Sequence, residues 1–173
     1  FDLLGNLLWP SPLWWAAFAG AMATVNADTW ATELGVLSRS QPRLITSGAI
    51  VERGASGGVT LAGTAAALGG AAFIAVLAAL LASLASVTPA RLFLYVTFGG
   101  LVGALIDSAL GASVQAIYYC PACQKETERH PLHSCGTPTS LRRGWKWLDN
   151  DWVNAACALS GALVGICLWL LLP

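Results

Sequence analysis

A chain of 173 residues that is 56% hydrophobic and only 10% charged cannot cover itself with a water-facing shell, because soluble domains carry about 25% charged residues. That excludes an ordinary water-soluble globular domain. The balance of nine basic against nine acidic residues gives no reason to expect a nucleic-acid partner. An integral membrane protein is expected. The chain starts at Phe1 without a basic leader or a small-residue cleavage pattern, so no signal peptide is read and a piece of a longer protein is expected.

Four apolar segments can each supply the roughly 20 residues a membrane-crossing helix needs. Residues 12–31 form the first, with Trp14 and Trp15 as interfacial anchors. Residues 57–86 form the second, which can break at Gly69-Gly70. Residues 92–118 form the third, ending at Tyr118-Tyr119, and residues 152–172 the fourth. Lipid offers no partners to backbone polar groups, so runs of this kind must be helical. The expected fold is an all-α, multi-pass helical bundle forming one membrane domain over 1–173, with residues 119–143 as an inserted loop.

Four spans place the loops at 32–56 and 119–151 on one side. Arg39, Arg43, Arg53, Lys125, Arg129, Arg142, Arg143 and Lys146 fall there, and only Arg91 falls on the other. Basic residues accumulate in cytoplasmic loops, so both long loops are expected in the cytoplasm and the protein in the cell (inner) membrane. Glycines crowd the second and third spans, and Gly99 and Gly103 have the GxxxG spacing that lets helices approach closely.

Acidic residues in these spans need a reason, because ionisable groups in a bilayer are costly. Asp28 and Glu33 lie near the inner end of the first span, Asp107 in the inner half of the third, and Asp149-Asn150-Asp151 at the start of the fourth. Three helices thus deliver acids to one leaflet with no buried lysine to match them. Such carboxylates repel one another unless a cation sits between them, and Mg²⁺ is the cation that pairs a few carboxylates with substrate phosphates. The stretch "RGASGGV" supplies the complementary half. Ser56, Gly57 and Gly58 are expected at a helix start whose N–H groups face an anion, with Arg39, Arg43 and Arg53 adding charge-assisted contacts. Asp28 and Glu33 stand five residues apart, about 140° around a regular helix. One metal cannot bind both unless the helix unwinds, and Asp28 is the preferred ligand.

The loop "CPACQKETERHPLHSC" carries a separate signal. Cys120, Cys123, His133 and Cys135 have the spacing of a tetrahedral zinc knuckle, with His130 as the alternative fourth ligand. A reducing cytoplasm favours metal over disulfide. Four protein ligands would make this zinc structural. Cys157 and Cys167 are expected as small core residues, and Trp145, Trp147 and Trp152 as an interfacial belt.

"NADTWATELGVLS", "PRLITSG", "GASGGVTLAGT", "GALIDSALGASVQ" and "LDNDWVN" together resemble the integral-membrane family that includes the plant phytyl-phosphate kinase of tocopherol synthesis. The likeness runs in order from about Trp14 to the end, and bacterial members share the CxxC…HxC insertion. The resemblance implies Mg²⁺-dependent transfer of a phosphoryl group from CTP, or another nucleoside triphosphate, to a prenyl monophosphate such as phytyl or geranylgeranyl phosphate. "ADTWATELG", "GASGGV", "ALIDSALG" and "LDNDWVN" are also similar, more distantly, to the acidic and Gly-rich blocks of dolichol kinases, phytol kinase and phosphatidate cytidylyltransferases.

Carried over position by position, the likeness implies Asp28, Glu33, Asp107 and Asp149 as catalytic carboxylates, with Mg²⁺ on Asp28 and Asp107. Asn26, Thr29, Arg43, Arg53 and Ser56 would face the nucleotide, as would Gly57, Gly58, Asn150 and Asn154. The lysine common in the Gly-rich block of those enzymes has no counterpart, and Arg53 is the nearest cation. The resemblance also implies further N-terminal helices. Its partners are a prenyl-phosphate lipid, whose tail would lie between the second and third spans, a nucleotide, membrane lipid and, in a homo-oligomer, a second copy. Two other readings compete. Intramembrane acids and Gly-broken helices also mark ion-coupled transporters, whose sites lie near the midplane, and a zinc-stapled assembly factor would leave the acids without a role.

Overall fold

The computed structural model describes residues 12–83 and 89–172. The end of the expected second span and the first two residues of the turn expected at 87–91 fall outside the described residues. Four long helices run through the described residues: α1 (Pro12–Gly35), α2 (Leu61–Ser83), α3 (Pro89–Ser113) and α4 (Asn150–Leu171). Their lengths of 22 to 25 residues correspond to roughly 33–38 Å, enough to cross a bilayer.

Among the described residues, α2, α3 and α4 are long and apolar enough to be membrane spans. The expected four spans are therefore an approximate count. Helix α1 matches the others in length but carries Asn26, Asp28, Thr29, Thr32 and Glu33 in its second half. It packs against each of the other three, and α3 also touches both α2 and α4. The helix with the most polar residues thus contacts all three of its more apolar neighbours, while Phe18, Met22 and Val25 stay exposed. Phe73, Phe98, Leu159 and Leu163 point outward and are exposed, the apolar surface of a bundle whose surroundings are lipid.

Alanine and glycine, rather than large side chains, fill the interior. Ala16, Ala19, Ala23 and Ala27 line one face of α1, and Ala67, Ala71, Ala75 and Ala78 the facing side of α2. Spacings of three and four residues keep each set on one side of its helix. With no lipid-excluding force between helices, close backbone approach is what small residues contribute. Around Thr24 the approach is closest. Its hydroxyl donates to Gly20 O at 3.0 Å and reaches Gly99 O at 3.4 Å. Cβ atoms added at Gly103 or Gly161 would overlap it. The Gly99–Gly103 pair thus serves helix packing, and Gly161 and Gly165, at the same spacing, abut Gly20 and Ala16 of α1. Gly161→Leu is expected to destabilise the bundle by at least about 3 kcal/mol, through overpacking with no room to relax. Thermal unfolding in detergent measures it.

The third span ends earlier than expected. Helix α3 stops at Ser113 and the chain turns into strand β3 at Ile117–Cys120 (the strands β1 and β2 precede it, at Arg43–Leu44 and Gly58–Val59). Residues 115–120 alternate poorly as a helix face, and Tyr118 and Tyr119 pair instead with β4 (Lys125–Thr127) and β5 (Ser140–Arg143) in an antiparallel sheet of order β4-β3-β5. Arg143 fastens this sheet to the bundle, donating to Gly111 O at 2.9 Å and reaching Ser56 O at 3.5 Å. The second span also starts later than expected. Gly58 and Val59 pair with β1, and α2 begins only at Leu61, with Thr60 Oγ1 accepting from Gly63 N at 2.9 Å as an N-cap. Ser56–Gly58 therefore form a turn ahead of the helix rather than its first turn.

Candidate functional site

The ends of all four helices that carry the two long loops meet around a cavity of about 360 Å³. Helix α1 contributes Asp28 to its wall and α3 contributes Asp107. Glu128 lines the same space, so three carboxyl groups share it. Arg53, Ser56, Gly57 and Gly58, from the loop ahead of α2, line it too, and Asn150 and Asn154, four residues apart on one face of α4, complete it. Cys157, one turn further along that face, points its thiol at Asp107 Oδ1 at 3.5 Å. Eight residues singled out in the sequence thus line one space.

The others lie elsewhere. Helix α1 stays regular through Gly35, so Glu33 turns away from Asp28 and is exposed outside the cavity wall. Asp149 N-caps α4, accepting from Asp151 N and Trp152 N at 3.1 Å each. Asn26 Nδ2 donates to Gly70 O at 2.8 Å and so ties α1 to α2. Thr29 is exposed and donates to Val25 O, and Arg43 donates to Gly48 O within its own loop.

Gly57 shows why this loop is glycine-rich. Its φ is +81°, a region disfavoured for residues with a Cβ, and a Cβ there would overlap the backbone of Ala112. The loop is seated directly on the end of α3.

Two cavity residues escaped the sequence reading. Gln115 is 1% exposed and links three segments. Its Oε1 accepts from Ser56 Oγ at 2.8 Å, while Nε2 donates to Glu128 Oε1 at 3.0 Å and reaches Asn150 Oδ1 at 3.4 Å. Glu128 lies within the cysteine-rich loop, where one of two acids between Lys125 and Arg129 carries no sequence signal of its own. A neutral amide just past a helix end carries none either.

That loop forms a second cluster. The ligand atoms of Cys120, Cys123, His133 and Cys135 all lie within 4.8 Å of one another. Cys120 Sγ and Cys135 Sγ are 3.6 Å apart, and His133 Nδ1 is 3.4 Å from Cys123 Sγ and 3.2 Å from Cys135 Sγ. Tetrahedral zinc ligands at ordinary bond lengths stand roughly 3.6–3.8 Å apart, close to these spacings. His130 points away, stacked on Tyr118 with centroids 4.3 Å apart. The four groups could hold a metal such as zinc.

The protonation pattern suits one. Hydrogen bonds with Thr137 and then His133 bring the Cys135 thiol down to about 5, while the hydrogen bond with Cys135 heads the causes that push Cys123 up to about 11. A bound cation removes that conflict by taking thiolates together. Metal analysis of purified protein should find about one zinc per chain, absent in Cys120→Ser; folded, zinc-free wild type would refute the assignment.

The family model described as "Integral membrane protein DUF92" matches residues 3–162. Protein PGR of Arabidopsis thaliana is 39% identical over 143 residues, covering 78% of this chain and 48% of that protein. Uncharacterized membrane protein MJ0933 of Methanocaldococcus jannaschii is 29% identical over 157 residues, covering 90% of this chain and 52% of that one. The chain therefore spans about half the length of these curated relatives. No solved structure matches it.

Proposed function

We propose, from the premise that the chain belongs to the integral membrane protein family DUF92, that it forms the nucleotide-and-phosphate end of a membrane phosphotransferase. The reaction is transfer of a phosphoryl group from CTP, or another nucleoside triphosphate, to a prenyl monophosphate. The family resemblance carried by "NADTWATELG", "GASGGV" and "LDNDWVN" supplies that reaction. The single observation that carries it is the convergence of Asp28 and Asp107, from two helices, with Arg53 and the Ser56–Gly58 turn around one cavity.

Asp28 and Asp107 would hold Mg²⁺, which supplies neutralisation of phosphate charge when bound. Arg53 orients the phosphate chain through its guanidinium, and the glycines let the chain approach the loop backbone closely. Asn150 and Asn154 offer amide donors and acceptors from the far wall. An oxygen of the prenyl phosphate then forms a bond to the terminal phosphorus of the nucleotide, and the bond from that phosphorus to the bridging oxygen breaks to release the diphosphate. Chemistry of this kind depends on positioning and charge, so no serine or cysteine nucleophile is required. In this reading the basic loops face the cytoplasm of a cell with the protein in its inner membrane, and the Cys/His cluster holds a structural zinc.

The cavity lies toward one end of the bundle. Asp28 is seven residues from the end of α1 and Asp107 six from the end of α3, roughly 10 Å in each case. An end position suits a site reached by a soluble nucleotide better than a transport site at the midplane. The test is turnover: full-length protein in detergent with labelled CTP, Mg²⁺ and geranylgeranyl or phytyl phosphate should yield labelled prenyl diphosphate, and EDTA should abolish it. No product with any nucleoside triphosphate would overturn the reading.

A further inference from the structure

The four potential metal ligands do more than close a loop. Cys120 and Cys123 flank the β3–β4 turn, and His133 and Cys135 return from the far side. Residues 124–132 are thereby tied at both ends, and Glu128 is the midpoint of that segment. It lines the cavity shared by Asp28 and Asp107. Its carboxylate is held by the amide of Gln115, a side chain that also accepts from Ser56 of the glycine turn and reaches Asn150 of α4. A buried hydrogen-bond hub thus joins the hairpin, the glycine turn and α4 at one point.

We infer that the Cys₃His hairpin delivers Glu128 as a third carboxylate of the cavity, so that loading of the Cys/His metal sets the cavity's affinity for a divalent cation. The inference rests on the cation reading of the cavity given above. Its physical basis is loop closure. Without a metal, Glu128 is held by what flanks it, the β3–β4 pairing that ends at Thr127 and the bonds from Thr139 Oγ1 to Arg129 O and Pro131 O, and ordering it against Gln115 then costs part of the entropy that four ligand bonds otherwise remove in advance. Glu128 is solvent-accessible and holds Gln115 by a single hydrogen bond, which leaves its position sensitive to that constraint. Coupling between two sites is reciprocal: whatever the cavity cation gains from a loaded hairpin, the hairpin metal gains from a filled cavity.

Mn²⁺ alone is the probe, titrated into full-length, zinc-loaded protein in detergent and read by electron paramagnetic resonance. Glu128→Gln, isosteric and outside the four-ligand set, should weaken Mn²⁺ binding about tenfold while zinc stays bound. Cys123→Ser should weaken it by a similar factor, and the double variant should lose no more than either alone. Reciprocally, saturating Mn²⁺ should slow zinc release to a chromophoric chelator by about the same factor in wild type and leave it unchanged in Glu128→Gln. Mn²⁺ binding that depends on Asp28 yet is indifferent to Glu128→Gln would overturn the proposal and leave the cation reading standing, with the hairpin as a staple only. Failure of wild type to bind Mn²⁺ would overturn both. Should Cys123→Ser fail to accumulate, the Glu128→Gln titration and the zinc-release rates decide alone.

Discussion

Asp28→Asn is expected to lower prenyl-phosphate phosphorylation at least about a thousandfold while leaving the protein folded. Asparagine keeps the size and much of the hydrogen-bonding capacity of aspartate but removes the charge that holds a divalent cation against phosphate. A thousandfold loss is about 4 kcal/mol of transition-state stabilisation. Asp107→Asn should match it, because the two carboxyl groups line one cavity, and the double variant should lose little more, since groups acting on one cation are not additive. Stability should move the other way. In the absence of divalent cations the adjacent carboxylates repel, so either asparagine variant should unfold at a higher temperature than wild type. Added Mg²⁺ should stabilise wild type and leave the variants unmoved. Turnover and thermal unfolding with and without Mg²⁺ measure both effects. Glu33→Gln and Asp149→Asn are the controls. Glu33 lies outside the cavity wall, and asparagine at 149 remains a good N-cap, so each should keep activity within about threefold. A collapse of activity in those two with a healthy Asp28→Asn would sink the assignment.

The helical bundle was legible because its signal is composition and length: long apolar runs must be helices in lipid. Asp28, Asp107 and the glycine turn were legible because charge and glycine stand out where apolar residues are expected. The boundaries were less so. Apolar content continues through Ile117, Tyr118 and Tyr119, and nothing in hydropathy tells a helix end from a strand that pairs with β4 and β5. The alanine faces of α1 and α2 were also hidden, since alanine reads as filler until a partner helix shows which side it packs. Asp149 is legible in a different way. An acid at a helix start serves capping and catalysis with the same residue type, and its bonds to Asp151 N and Trp152 N show the first of these. Gln115 and Glu128 lay beyond reach because their importance comes from contacts 13 to 59 residues away in sequence.

Gly57→Ala is the second large effect, and it tests the loop rather than the charges. Two independent costs meet at this position. The backbone φ of +81° costs a residue with a Cβ about 1 kcal/mol, and the new methyl would overlap the backbone N and Cα of Ala112. Helix α3 cannot yield, because Gly100 and Gly103 already hold it against Ala23, Ala71 and Thr24 with no room between. The turn must therefore lift, and with it go Ser56, which donates to Gln115 at 2.8 Å, and the bond from Ile45 N to Gly57 O at 3.1 Å. Arg53 and the Ser56–Gly58 backbone would then lose their place in the cavity that Asp28 lines. Activity should fall about a hundredfold, as expected when a phosphate-positioning loop is misplaced by an ångström or so, while the bundle's far-ultraviolet circular dichroism stays unchanged. Gly54→Ala is the matched comparison. Gly54 has a φ of +83° but meets nothing within 4 Å, so it carries the conformational cost without the collision and should keep activity within about threefold. Equal losses in the two variants would show that glycine is needed there for its backbone conformation alone, and that seating the turn on α3 does not position the phosphate chain.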